Sequence, residues 1–155
     1  LVLTTLHTND AAGALPRLIN MGVEPFLITS SINAVLAQRL VRKLCQKCII
    51  HAHIPAPIMK DIESHLASFN LQKPLQFFEG KGCSECDQGY KGRVGIYEVL
   101  PMDETIEVLA IEKRPSSEIQ AAALKGGMIT MKQDGLLKAL KGITSVNEVM
   151  RVVTT

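Results

Sequence analysis

The stretch from Gly82 to Asp103, GCSECDQGYKGRVGIYEVLPMD, joins two patterns of different kind. Its first part holds Cys83 and Cys86, two thiols separated by two residues and flanked by Gly82 and Gly89. That spacing places both sulfurs on one tight turn, and Cys45-x-x-Cys48 repeats it upstream. The chain has four cysteines, so the two pairs account for all of them. Two such turns complete a tetrahedral S₄ site, which points to structural zinc held by Cys45, Cys48, Cys83 and Cys86. Iron in a rubredoxin-like site suits the same ligands. His51 and His53 lie near Cys48, but four cysteines already fill the shell, so both are expected as exposed loop residues. A closed S₄ shell leaves no open position for Lewis-acid chemistry. The metal would instead hold residues 45–92, a segment with Pro55, Pro57, Pro74 and four glycines between Gly80 and Gly92. Disulfides are not expected without a secretory pattern at the N-terminus, and a redox dithiol would use only one pair. The second part of the opening stretch, Arg93 to Leu100, reads as a strand from its Val94, Ile96 and Tyr97, Val99 alternation.

Around this stretch the composition bounds the class. The 155 residues are 46% apolar, 21% charged and 4% aromatic, which suits one globular domain, or one with a small appendage, and is too apolar for a disordered chain. The net charge of +2, from 17 basic and 15 acidic residues, does not imply a polyanionic partner. The longest charge-free internal run, Pro25 to Gln38, contains Ser30, Ser31 and Asn33 and falls short of the roughly 20 apolar residues a membrane span needs.

Leu1 to Leu6 is apolar and β-branched, like a buried strand entered midway, and suggests a piece of a longer protein. His7-Thr8-Asn9-Asp10 follows, with Asn9 or Asp10 able to cap a helix through Ala11, Ala14, Leu15 and Leu18, stopped by Gly22. Pro25 opens a second helix with the stripe Ile28, Ile32, Val35 and Leu36. Leu40 to Leu44 reads as a strand, and of Arg39, Arg42, Lys43 and Lys47 beside it two are expected on a solvated strand face. Ile58, Ile62, Leu66 and Phe69 mark one helix inside the cysteine segment. Beyond Asp103 three further stripes appear, around Ile106, Ile119 and Leu136, and Ser145 with Glu148 forms a capping box for a last helix.

With these motifs in this order, the whole chain resembles the C-terminal part of the secretion and pilus-assembly ATPases, the hexameric motors of type II secretion and type IV pilus extension. LVLTTLHTNDAAGALPRLINMGVEPFLITSSI resembles the stretch carrying their histidine box, and LAQRLVRKLCQKC with the Gly82–Asp103 stretch resembles their tetracysteine insertion and return strand. The resemblance implies an α/β fold: the C-terminal portion of a RecA-like P-loop ATPase domain, with an inserted tetracysteine zinc subdomain and a C-terminal helical region. Residues 1–44 would close the RecA-like core, 45–92 form the insertion, 93–102 the return strand and 103–155 the helical region. It also implies ATP and Mg²⁺ in the complete protein, a homo-hexamer, and partners in the inner-membrane platform and assembly proteins. The place would be cytoplasmic, peripheral at the inner face of the bacterial inner membrane.

Residue by residue, the resemblance gives His7 a part in sensing the γ-phosphate, Arg93 a place near the adenine, and Arg39 an interface or phosphate-sensing part. Each has a plainer counterpart: a hydrogen bond from His7 to Asp10 or a carbonyl, an ion pair of Arg93 with Glu98 or Asp87, a surface salt bridge for Arg39. Nothing in the sequence fits G-x-x-x-x-G-K-[ST], so this piece alone is expected not to hydrolyse ATP. A zinc-ribbon module that docks nucleic acid or protein is the competing reading, served by Arg42, Lys43, Lys47, Lys91 and Arg93. The absence of tryptophan and the few aromatics among those residues leave base stacking without platforms, so nucleic acid is not the expected partner.

Overall fold

The computed structural model describes residues 1–153. In chain order it contains α1 (Ala14–Asn20), α2 (Pro25–Ser31), β1 (Ala34–Leu44), β2 (Ile49–His51), α3 (Ala56–His65), a 3₁₀ turn (Ala67–Phe69), β3 (Phe78–Gly80) and β4 (Tyr90–Pro101). Four helices follow: α4 (Glu104–Ile111), α5 (Ser116–Lys125), α6 (Met131–Leu140) and α7 (Val146–Val153). The chain is therefore mixed α/β. Strand β1 pairs with β4, and β2 with β3. The Met102 N–H donates to the Asn33 carbonyl at one end of the first pair, and the Cys45 N–H to the Gly89 carbonyl at the other, so β1 and β4 run in opposite directions. The second pair is antiparallel, with Ile49 opposite Gly80 and His51 opposite Phe78.

The residues gather into two compact units, Leu1–Gln38 with Tyr97–Thr130, and Arg39–Ile96 with the residues from Met131 onward. Strands β1 and β4 each contribute to both units, and the last two helices share a core with α3.

In the first unit, Ala11, Leu15, Ile28, Leu100, Ile106, Ala110 and Ile119 pack together. Helix α1 ends before Gly22, whose φ of 90° suits glycine alone without strain. Asp103 caps α4, its carboxylate accepting the Ile106 N–H at 2.9 Å. In the second unit, Ile62, Leu66 and Phe77 pack with Leu136, Ala139, Val146 and Val149. Each large side chain fully buried in such a cluster is worth about 1.5–3 kcal/mol. At Gly135 a Cβ would lie 2.8 Å from a Val149 methyl, so α6 and α7 meet where only glycine fits.

Several elements differ from their sequence reading. Leu1 to Leu6 forms no strand, and Leu1, Val2 and Leu3 are fully exposed. A short apolar strand is made by hydrogen-bonded neighbours, and none of the described strands lies beside it. Helix α1 starts only at Ala14, because Asp10 builds a turn first: its Oδ1 accepts the Gly13 N–H at 2.7 Å. Helix α2 stops at Ser31, and Val35 and Leu36 belong to β1. Ile32 turns to extended geometry, and pairing with β4 overrides the helical spacing of the apolar residues. From Val35 to Val41 the strand alternates, with Leu36, Gln38 and Leu40 outward and Val35, Ala37, Arg39 and Val41 more buried.

Candidate metal centre

The two CxxC turns come together because the strands that carry them do. Cys45 and Cys48 follow β1, Cys83 and Cys86 precede β4, and the β1–β4 pairing brings these ends to one place. The Cys48 N–H returns to the Cys45 carbonyl at 3.2 Å and the Cys86 N–H to the Cys83 carbonyl at 3.3 Å, closing each turn. The Lys81 N–H donates to the Cys48 carbonyl at 3.0 Å and ties one turn to the other.

Two backbones cross behind the sulfurs with no room for a side chain. A Cβ at Gly80 would lie 2.3 Å from the Gly89 carbonyl oxygen, and one at Gly89 would lie 2.4 Å from that of Gly80. Gly89 also has φ +88°, so it is doubly restricted to glycine. Lys47 and Glu85, both exposed, make an ion pair from one turn to the other.

The sulfur positions fit a tetrahedral metal. Cys45 and Cys83 Sγ are 3.9 Å apart, Cys48 and Cys86 3.7 Å, and Cys83 and Cys86 3.5 Å. All four ligand atoms lie within 4.8 Å of one another. Metal–sulfur bonds of about 2.3 Å give a tetrahedron edge of about 3.8 Å. Burial pushes the Cys48 thiol up to about 12. Burial acts the same way on Cys86, but the Cys83 and Gly89 N–H groups and the Cys83 thiol outweigh it and lower Cys86 to about 7. Four adjacent thiolates repel one another, and a divalent cation is the group that compensates them. Among the described residues the cluster contains cysteine alone. His51 and His53 are exposed, and the His51 ring packs on Phe78 with centroids 5.0 Å apart.

Beside the cysteines lies a polar network that the sequence reading missed. Ser145 does cap α7, its Oγ accepting the Glu148 N–H at 3.2 Å. The Glu148 carboxylate is buried and accepts from the Arg42 guanidinium at 2.7 Å, the Arg42 backbone N–H at 3.0 Å, and Arg151 at 3.0 and 2.9 Å. Burial opposes ionisation of Glu148, but the hydrogen bonds from Arg151 and Arg42 prevail and lower it to about 2. The Arg42 guanidinium lies 4.1 Å from the centre of the Tyr90 ring, whose hydroxyl shares a 2.7 Å hydrogen bond with Ser145 Oγ. The Thr144 hydroxyl donates to the Arg42 carbonyl at 2.8 Å. One signal was available: at i+3 from Ser145 and next to Val149, Glu148 sits on the inward side of its helix.

The remaining candidates are not in this cluster. His7 is exposed, ahead of the Asp10 turn in the first compact unit. Arg39 is half-buried on β1 and Arg93 exposed on β4, both in the unit that holds the cysteines. Glu98, weighed as a partner for Arg93, is buried at 3% exposure, and its Oε1 accepts the Ala11 N–H at 2.7 Å.

The sequence profile of the family described as "Type II/IV secretion system protein" matches residues 1–151. The chain belongs to this family. Within it, the chain is 43% identical to the type IV pilus assembly ATPase PilB of Pseudomonas aeruginosa, over 98% of this chain and 26% of that protein. It is 42% identical to the type II secretion system ATPase E of Vibrio cholerae, over 98% of this chain and 29% of that protein. Thermus thermophilus PilB is 41% identical over 97% of this chain and 17% of its own length. This secretion-family chain thus spans about a quarter of the length of the curated relatives it matches.

Proposed function

We propose that the chain is the C-terminal part of a RecA-like P-loop ATPase, a hexameric motor that powers type II secretion or type IV pilus assembly. The observation that carries this reading is the 42–43% identity along essentially the whole chain to proteins named as secretion and pilus-assembly ATPases. The likeness extends over both compact units and not over the cysteine turns alone, which disfavours a free-standing zinc-ribbon module. The division of labour is then local. Cys45, Cys48, Cys83 and Cys86 hold one structural zinc, supported by sulfur separations of 3.5–3.9 Å. Bound in a closed S₄ shell, the ion locks the loops between β1 and β4 and takes no part in hydrolysis.

His7, exposed and carried by a loop with its own hydrogen bonds, reports the γ-phosphate of ATP bound with Mg²⁺ in the complete protein. Arg93 stacks its planar guanidinium near the adenine, and Arg39 serves at a subunit edge or near phosphate. Among the described residues no helix is long and apolar enough to cross a membrane. In this reading the motor is a cytoplasmic homo-hexamer that meets the inner face of the bacterial inner membrane through platform and assembly proteins.

Phosphate release tests the proposal. The full-length protein should hydrolyse ATP with Mg²⁺, and the 155-residue chain alone should show no release above a buffer control. A full-length protein without nucleotide hydrolysis, but with DNA affinity that falls steeply with salt, would replace the motor by the binding module.

A further inference from the structure

One inward position of β4 is charged. Ile96, Glu98 and Leu100 turn to the buried side in alternation, with exposures of 0%, 3% and 1%. An apolar residue at 98 would simply continue the row, whereas a buried carboxylate must be hydrogen-bonded for the fold to tolerate it. Glu98 Oε1 accepts the Ala11 N–H at 2.7 Å across 87 positions of sequence. A carboxylate accepting at that distance makes a stronger tie than a neutral carbonyl would. Ala11 is itself fully buried and lies within the turn that runs from Thr8 to Gly13, just after His7. Within that turn the Thr8 hydroxyl donates to the Asp10 carbonyl at 3.0 Å, and Asp10 Oδ1 accepts the Gly13 N–H at 2.7 Å. The turn is thus tied to itself by Thr8 and Asp10, and to β4 by Glu98.

We propose that Glu98 is a positioning residue for His7: its carboxylate pins the turn to β4 at Ala11 and so sets where the exposed imidazole meets the terminal phosphate of a nucleoside triphosphate. This rests on the reading of His7 given above. The length of chain involved makes the pin consequential. His7 lies four residues before Ala11, a reach of about 13–14 Å when extended. A misplacement of only about 1 Å can cost on the order of a hundredfold in rate.

The experiment uses the full-length protein with Glu98→Leu, Glu98→Asp and Glu98→Gln, each alone and with His7→Ala. Leucine fills the space without an acceptor, aspartate keeps the charge but loses the reach, and glutamine keeps an acceptor oxygen at the right length. Deuterium uptake in residues 7–13 should rise for leucine and aspartate, with α4 and α5 unchanged. Their kcat should fall roughly ten- to a hundredfold while nucleotide Kd stays within about twofold, and glutamine should recover most of the rate. Combined with His7→Ala, the leucine and aspartate changes should lower kcat no further, because both act through one group. Unchanged uptake in 7–13, or a further multiplicative loss in the double variants, would overturn the proposal while leaving His7 in its role. A normal kcat for His7→Ala alone would overturn the His7 reading, and this inference with it.

Discussion

Arg42 and Glu148 stand 106 positions apart in sequence, yet Glu148 accepts both the Arg42 guanidinium, at 2.7 Å, and the Arg42 backbone N–H, at 3.0 Å. The pair fastens α7 to β1 three residues before Cys45, so the last helix braces the strand that leads into the metal centre. A single buried carboxylate thereby accepts from the backbone of one element and from side chains of two, while the buried Arg42 Nε has no hydrogen-bond partner among the described residues.

This arrangement predicts acid sensitivity with a defined sign. The carboxylate is lowered from 4.5 to about 2 in the folded chain, so the folded state favours its ionised form. Its stabilisation is complete above about pH 4.5 and is lost as the pH falls toward 2. Glu148→Gln should flatten the pH dependence of α7 deuterium uptake across that window. It should also cost roughly 2–3 kcal/mol at neutral pH, below the range for a fully buried pair because the Arg42 side chain is 38% exposed. An unchanged acid profile in this variant would mean another carboxylate governs the transition.

Metal content provides a second test. Elemental analysis should find one zinc per chain, and Cys83→Ser should abolish or sharply weaken it. Loosening should spread beyond the cysteine turns to α6 and α7, because Leu136, Ala139, Val146 and Val149 share a core with Ile62, Leu66 and Phe77. Helices α4 and α5 pack in the other core and should keep their amide protection. Loss confined to residues 45–92 would show that the shared core does not transmit the damage.

Gly80→Ala probes the backbone crossing without touching a ligand. The added methyl would meet the Gly89 backbone at 2.3–2.7 Å, where no flexible side chain can give way. A destabilisation of roughly 3 kcal/mol is expected, at the upper end for overpacking, with weaker metal retention under chelator challenge. Gly22→Ala, with nothing within 4 Å and in the unit without the cysteines, serves as a control for a glycine substitution remote from the crossing. Equal metal retention in the two variants would dismiss the crossing as a support of the centre.

For the proposed motor, His7→Ala in the full-length protein should lower kcat by about 10²-fold, roughly 2.7 kcal/mol, with little change in nucleotide Kd. The exposed side chain supports no core, so the melting temperature should hold. Turnover within twofold of wild type would remove His7 from the phosphate site.

What was legible in the sequence is what short-range spacing decides. The CxxC turns are local, so Cys45, Cys48, Cys83 and Cys86 could be grouped before their sulfurs were seen within 4.8 Å. The stripes around Ile106, Ile119 and Leu136 became α4, α5 and α6, since helical hydrogen bonds close within four residues. Other features depend on partners remote in sequence, and only the tertiary structure decided them. Val35 and Leu36 keep helical spacing with Ile28 and Ile32, but pairing with β4 draws them into a strand. Leu1 to Leu6 has strand composition, but the strand is absent where no neighbour supplies hydrogen bonds. Glu98 and Glu148 look like surface carboxylates, because burial and the reach to Ala11 or Arg42 are properties of the fold. Periodicity reports which face an element buries, and it carries no information on which distant polar group waits there.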